Sequence, residues 1–174
     1  MHQQLQKLAL VVLFALPGVA AACKFTPMPI EPEFADKRET FVGRQGATLV
    51  RFHNERADGE VTVFPEPPLE IEDTQARSSC TIDDGGVWVR HSVHLSGNRR
   101  VLLTEEYSGS STQLNFYSTS TCKRLSSIDV SNAKWALDGR FITLTPVDAG
   151  PSSPKPKQYR LEANCLPNPG ARPR

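Results

Sequence analysis

"HLSGNRRVLLT" at residues 94–104, followed by "LNFYSTSTCKRL" at 114–125, returns in altered form as "ALDGRFITLT" at 136–145 followed by "QYRLEANCL" at 158–166. Leu95, Gly97, Leu102 and Tyr117 each recur 42 residues later, as Leu137, Gly139, Leu144 and Tyr159. Each copy is an apolar run, a glycine turn and a second apolar run, which is the pattern of strands joined by tight turns. A period near 42 residues matches one four-stranded propeller blade. A closed propeller typically needs about four blades or more, and this chain holds about three. The expectation is an all-β domain of antiparallel sheets packed in succession, resembling the blades of an incomplete β-propeller. A β-sandwich is the alternative. Trp88 and Trp135 fall near the first strand of successive units.

Working outward, "VWVRHSVHL" at 87–95 alternates along its length. Read as one strand, it sets Val87, Val89, His91, Val93 and Leu95 on one face and Trp88, Arg90, Ser92 and His94 on the other. Further strands are expected at "ATLVRFH", "EVTVF", "RVLLTEEY", "TQLNFYS", "KRLSSIDV", "AKWAL", "RFITLTP" and "QYRLEA". Turn residues divide them at Ala57-Asp58-Gly59, Asp84-Gly85-Gly86, Ser96-Gly97-Asn98 and Asp138-Gly139. "GATLVRFHNERADGEVTVF" reads as a third, weaker unit of the repeat. No stretch carries sustained helical periodicity with caps. Three stretches are expected to be irregular. "KFTPMPIEPEFADKRE" is proline-rich and extended, "DAGPSSPKPK" a mobile connection, and "LPNPGARPR" a tail with nothing to bury.

The N-terminal residues read as a secretory signal rather than as part of the fold. Lys7 precedes "LALVVLFALPGVAAA", which is too short to span a bilayer and ends in small residues before Cys23. The expected organisation is a signal at 1–22, a single domain at 23–166 and a flexible tail at 167–174, with the mature chain in the periplasm. "AAAC" also resembles a lipobox, and membrane attachment follows only if Cys23 carries lipid. Ordinary cleavage leaves four cysteines, Cys23, Cys80, Cys122 and Cys165, an even set that suits two disulfides in an oxidising compartment. Four cysteines permit three pairings, and the spacing does not choose among them.

Charge and motifs exclude more than they propose. Losing Lys7 with the signal leaves 19 basic against 19 acidic residues, so no net field draws the chain to nucleic acid or anionic lipid. There is no Gly-x-Ser-x-Gly elbow, no phosphate-cradling glycine loop and no His-Glu-x-x-His. His91 and His94 stand three apart on a strand and diverge, so they do not share a metal. His91 on the apolar face reads as a hydrogen-bonded core histidine, and His53 stands alone near a turn. The carboxylate pairs Asp83-Asp84 and Glu105-Glu106 also diverge and read as solvated turn charges rather than an acid–base dyad. The cysteines lack Cys-x-x-Cys spacing. The chain is expected to be no enzyme and to need no metal, cofactor or small-molecule ligand.

What remains is "EEYSGSSTQ", Glu105–Gln113, whose plain reading is a polar hairpin tip. Its functional reading is a protruding recognition loop. Gly109 permits a tight turn, and the serines are small enough to enter a cleft while donating and accepting hydrogen bonds. Glu105, Glu106 and Tyr107 then supply polar contacts and an aromatic anchor at its base.

A secreted, cysteine-containing all-β chain with blade-like repeats and a paired-serine loop resembles the periplasmic immunity proteins of type VI secretion amidase effectors, in overall plan over residues 23–166. The resemblance implies a protein partner, a secreted papain-like peptidoglycan amidase whose Cys/His active site the loop plugs. Carried onto this chain, it makes Ser110 and Ser111 the inserted residues, with Ser108 and Gly109 shaping the approach; Thr112 is counted with them among the toxin-binding residues. Inhibition is then occlusion: a serine hydroxyl can bond to the catalytic imidazole but offers no scissile carbonyl. Two other roles fit the same sequence, an inhibitor of a different wall-degrading enzyme such as a lysozyme and a structural envelope lipoprotein.

Overall fold

The computed structural model describes residues 23–54, 60–65, 68–147 and 154–168. Fifteen strands lie in these residues. The first seven are β1 (Phe25–Pro27), β2 (Ile30–Phe34), β3 (Lys37–Gln45), β4 (Thr48–His53), β5 (Val63–Phe64), β6 (Leu69–Asp73) and β7 (Ser78–Ile82). β8 (Val87–Val89), a 3-10 turn (Arg90–Ser92), β9 (His94–Ser96), β10 (Val101–Ser108) and β11 (Ser111–Ser118) follow. β12 (Arg124–Asp129), β13 (Ala133–Asp138), β14 (Phe141–Pro146) and β15 (Lys157–Arg160) complete the order.

They make three antiparallel sheets, none closed on itself, as the repeat led us to expect. The first sheet runs β2-β3-β4-β6-β7 and the third β13-β14-β15. The middle sheet runs β1-β9-β10-β11-β12, with β8 also alongside β10 and β5 alongside β8. Side-chain alternation explains why it lies in the middle. Leu95, Leu102 and Tyr117 point into a core shared with Phe41, Val50, Phe52, Leu69 and Ile71 of the first sheet. Val101, Leu103, Leu114 and Phe116 point the other way, against Ile142, Leu144, Trp135 and Leu137 of the third. A strand covered on both faces needs apolar residues at consecutive positions, which is what "VLL" supplies. Each fully buried leucine of this kind is worth about 1.5–3 kcal/mol relative to exposure.

β9-β10-β11 and β13-β14-β15 are each an up-and-down meander. The two tryptophans are not equivalent in them: Trp88 sits on β8, one strand ahead of the first meander, and Trp135 on β13, the first strand of the second. Leu95 faces Leu102 across the first hairpin, whereas Leu137 faces Ile142 and Leu144 faces Trp135 across the second. The turn accounts for this slip, with four residues at Gly97–Arg100 but two at Gly139–Arg140. A two-residue slip keeps every side chain on its own face.

Four expectations need correction. "VWVRHSVHL" is broken at Arg90–Ser92. Arg90 Nε donates to the Ile30 carbonyl at 2.7 Å, Nη1 to the Val61 carbonyl at 3.1 Å and Nη2 to Glu31 at 2.8 Å. Its guanidinium also lies over Phe41, 4.9 Å from the ring centre. These long-range bonds pull the chain out of the ladder. The odd-length break brings Trp88 into the same core as Leu95, and it leaves His91 exposed, not in the core.

The proline-rich start is regular strand, β1 and β2, because both are edge strands, where a missing N–H is tolerated. The proposed third unit is not one: β4 stays in the first sheet, while "EVTVF" shortens to β5 and pairs with β8. Of the tail, Leu166 packs on the second core, Pro167 bridges Leu161, and Asn168 N–H donates to the Arg160 carbonyl at 2.9 Å. Residues 1–22, the Ala57-Asp58-Gly59 turn, 148–153 of "DAGPSSPKPK" and 169–174 lie outside the described residues.

The cysteines pair Cys23–Cys165 and Cys80–Cys122. Each disulfide fastens one outer sheet to the middle one. Cys80 on β7 meets the turn after β11, and Cys23, next to β1, meets the segment after β15. With its sulfur bonded to Cys165, Cys23 is not available to carry lipid.

Candidate functional site

β10 and β11 pair residue for residue from Val101–Ser118 to Ser108–Ser111. The turn is therefore only Gly109–Ser110, narrower than the six-residue "YSGSST" stretch. Gly109 has φ +61°, and Ser110 does not share the left-handed region, which is a type II′ hairpin turn. A Cβ at Gly109 would meet nothing, so glycine is required here by backbone geometry and not by space. Tyr107, Ser108, Gly109 and Ser110 are exposed, Tyr107 at 40%, while Ser111 and Thr112 are half-buried.

Beneath the tip the hydroxyls are already engaged. Gln113 Nε2 donates to Ser111 Oγ at 2.9 Å, and Ser127 Oγ donates to Gln113 Oε1 at 2.7 Å. The Thr112 N–H donates to Ser131 Oγ at 3.0 Å, and the Ser131 hydroxyl donates to Asp129 at 2.6 Å. Bonds from Ser131 hold the Asp129 carboxyl below its ordinary value. On the other side of β10 the "DGG" turn presses against the hairpin. A Cβ on Gly86 would lie 2.2 Å from the Tyr107 carbonyl oxygen. Sequence reading took Gly86 for a turn residue, whereas its role is close approach.

Glu105 and Glu106 are not free polar groups beside the loop, nor solvated turn charges. Glu106 is 3% exposed, with Oε1 accepting from Thr104 Oγ1 at 2.6 Å and Oε2 from the Tyr117 hydroxyl at 3.1 Å. Burial, then the Glu106 carboxylate, pushes the Tyr117 phenol above its ordinary value. Glu105 Oε2 accepts from Ser92 Oγ at 2.7 Å and from Trp135 Nε1 at 2.9 Å. Apart from Thr104, two residues from Glu106, these partners come from 11 to 30 residues away, so local pattern held no sign of them. Asp83 and Asp84 are exposed, as the sequence suggested.

Elsewhere the described residues offer little chemistry. No three His, Cys, Asp or Glu side chains converge among them. A cleft of about 400 Å³ involves Arg51, Glu70, Glu72 and Arg77 of the first sheet, and not the hairpin. Arg51 already pairs with Glu70 at 2.9 Å and with Glu33 at 3.6 Å. His53 lies 3.5 Å from Glu70.

Three sheets joined by two disulfides carry an exposed hairpin turn. The comparisons identify the family. The family model for Immune protein Tsi1 matches residues 23–159. Immune protein Tsi1 of Pseudomonas aeruginosa is 38% identical over 142 residues, 81% of this chain and 82% of that protein. The chain belongs to the Tsi1 immune protein family. The resemblance to an immunity-protein family drawn from the sequence therefore holds, and with it the reading of the chain as an inhibitor rather than an enzyme.

Proposed function

We propose that this chain is a periplasmic immunity protein that blocks the Cys/His active site of a type VI secreted peptidoglycan amidase by inserting the hairpin tip at Gly109–Ser110. The observation that carries the reading is the tip itself: a two-residue turn standing clear of its sheet on a base whose hydroxyls are bonded. Ser110 stands foremost, Ser108 and Ser111 flank it, and Tyr107 lies beside it as an apolar contact. A hydroxyl at this corner bonds to the catalytic imidazole and displaces substrate, with no bond made or broken. Immune-protein membership supports a toxin partner, and the signal-like leader and two disulfides support export.

The test is inhibition of a papain-like peptidoglycan amidase on wall peptides, with circular dichroism to confirm folding. Removing one hydroxyl costs about 0.5–1.5 kcal/mol net, against about 12 kcal/mol for a nanomolar complex. Ser110→Ala should therefore still inhibit. Ser110→Glu and Ser111→Arg bring an unpaired charge into a closed cleft and should abolish tight inhibition. Full inhibition by folded Ser110→Glu and Ser111→Arg places the contact elsewhere. Inhibition of a lysozyme but not of the amidase changes the target class.

A further inference from the structure

The adjacent carboxylates just below the hairpin have a role that neither occlusion nor simple solvation covers. Successive strand residues point to opposite faces, so Glu105 and Glu106 leave β10 in opposite directions, each toward a different neighbour. Glu105 faces the third sheet, where one oxygen accepts both the indole N–H of Trp135 on β13 and the hydroxyl of Ser92 in the 3-10 turn. Glu106 faces the first sheet from within the middle one. It accepts from Tyr117 on β11, from Thr104, and at 3.4 Å from the Gly86 N–H of the turn that presses on Tyr107.

Charge-assisted hydrogen bonds are shorter and stronger than neutral ones. An indole N–H is a donor only, so Trp135 needs an acceptor to be buried without cost. The Trp135 ring meets His94 of β9 edge-on, ring centres 5.6 Å apart, so the indole is held by packing as well. Beyond this pair β10 runs only through Tyr107 and Ser108 to the turn, a lever of roughly 10 Å at about 3.3 Å per residue.

We propose that Glu105 and Glu106 are positioning residues for the recognition hairpin: each ties β10 down on one face, and Glu105 fixes the hairpin's angle against the third sheet. The proposal rests on the hairpin being the contact surface. A hairpin held at one angle binds without the ordering cost that a swinging one meets. Losing the Glu105 tie lowers the fraction of molecules ready to enter a cleft, and apparent affinity falls by that fraction.

The experiment uses the full mature chain with both disulfides closed. Trp135→Phe removes the N–H and keeps an aromatic ring, Glu105→Leu removes the acceptor, and Glu105→Gln keeps an oxygen able to accept from both donors. Amide hydrogen exchange of the free protein is read over Tyr107–Thr112, with β4 and β6 as internal controls. Inhibition is read with the amidase that the unsubstituted chain neutralises. Trp135→Phe and Glu105→Leu should each speed hairpin exchange about tenfold with β4 and β6 unchanged, and weaken inhibition about tenfold. Glu105→Gln should recover most of both losses.

The proposal is overturned if folded Trp135→Phe leaves exchange and inhibition unaltered, or if Glu105→Gln is as damaging as Glu105→Leu. A Glu105→Leu chain that does not fold leaves Trp135→Phe to decide. If Ser110→Glu still inhibits, the contact surface fails separately, and the exchange data still judge the tie.

Discussion

The two faces of the middle sheet are built alike but not equally. Toward the first sheet it meets a large aromatic core, with Phe52 stacked on Phe64 at 4.5 Å and edge-on to Trp88 at 6.1 Å. Toward the third sheet the ring contacts are Phe25 with Phe116 at 6.1 Å and His94 with Trp135 at 5.6 Å, and Trp135, Leu137 and Tyr159 are only partly buried. Each face carries one disulfide and one carboxylate of the Glu105-Glu106 pair. The burial patterns record the difference. β10 is buried at almost every position below its tip, whereas β13 alternates half-buried and exposed along its length. The third sheet is the more weakly held layer, and it is the one that Glu105 connects to the hairpin.

The largest test of this asymmetry removes the staples. In the chain-entropy model, closing a 142-residue loop is worth about 5 kcal/mol and a 42-residue loop about 4 kcal/mol. These are large shares of a domain stability of roughly 5–15 kcal/mol. Cys23→Ser with Cys165→Ser should therefore lower unfolding free energy more than Cys80→Ser with Cys122→Ser, measured by guanidinium denaturation. The reverse order would mean that the third sheet is held well without its bridge. Intact mass of the purified chain should also show two disulfides and no diacylglycerol on Cys23.

A smaller effect compares repeat partners. Leu95 is fully buried toward the first sheet and Leu137 half-buried against the middle one. Leu95→Ala should cost about 3 kcal/mol and Leu137→Ala roughly 1 kcal/mol, read from urea midpoints at unchanged slope. Equal costs would erase the asymmetry.

The smallest effect is in pH, and its sign differs between the faces. Burial holds His94, beside Trp135, below the ordinary imidazole value, against a backbone bond to Ser92 that raises it. A lowered folded value gives stability that is present above the unfolded value of about 6.5 and lost as pH falls through and below it. Tyr117 toward the first sheet is raised, so its contribution is present below about pH 10 and lost as pH climbs further. Thermal midpoints should fall at both ends, and His94→Gln should flatten only the acid limb.

Periodicity and turn chemistry carried most of the architecture. The glycines at 109 and 139, the unbroken "VLL" and the 42-residue spacing all reflect local rules: turn geometry, two-sided burial and meander length. The exceptions were long-range. Nothing in "VWVRHSVHL" reveals that Arg90 bonds to carbonyls 60 and 29 residues away and so breaks the strand. Nor does "EE" show which partners await each carboxylate. In the hairpin the tip residues were legible because a glycine–serine pair between two strand-like runs is a local turn signal. Gln113, Ser131 and Trp135, which hold it, were not, because an interior hydrogen bond depends on two distant positions agreeing. The prolines of β1 and β2 misled for a related reason: a residue unfit for a central strand is acceptable on an edge, and edges are a property of the finished sheet.

The Cys23–Cys165 bridge sits beside the β9–β10 turn, where the Gly97 N–H donates to the Lys24 carbonyl at 2.7 Å. The hairpin tip lies at the far end of β10, roughly 25 Å off at about 3.3 Å per residue. The Cys23–Cys165 bridge therefore lies at one pole while Ser110 occupies the other. A fluorophore or a sensor surface attached at exposed Lys24, beside that bridge, would face away from Ser110, so this molecule can be immobilised for binding measurements with the hairpin left open to solution.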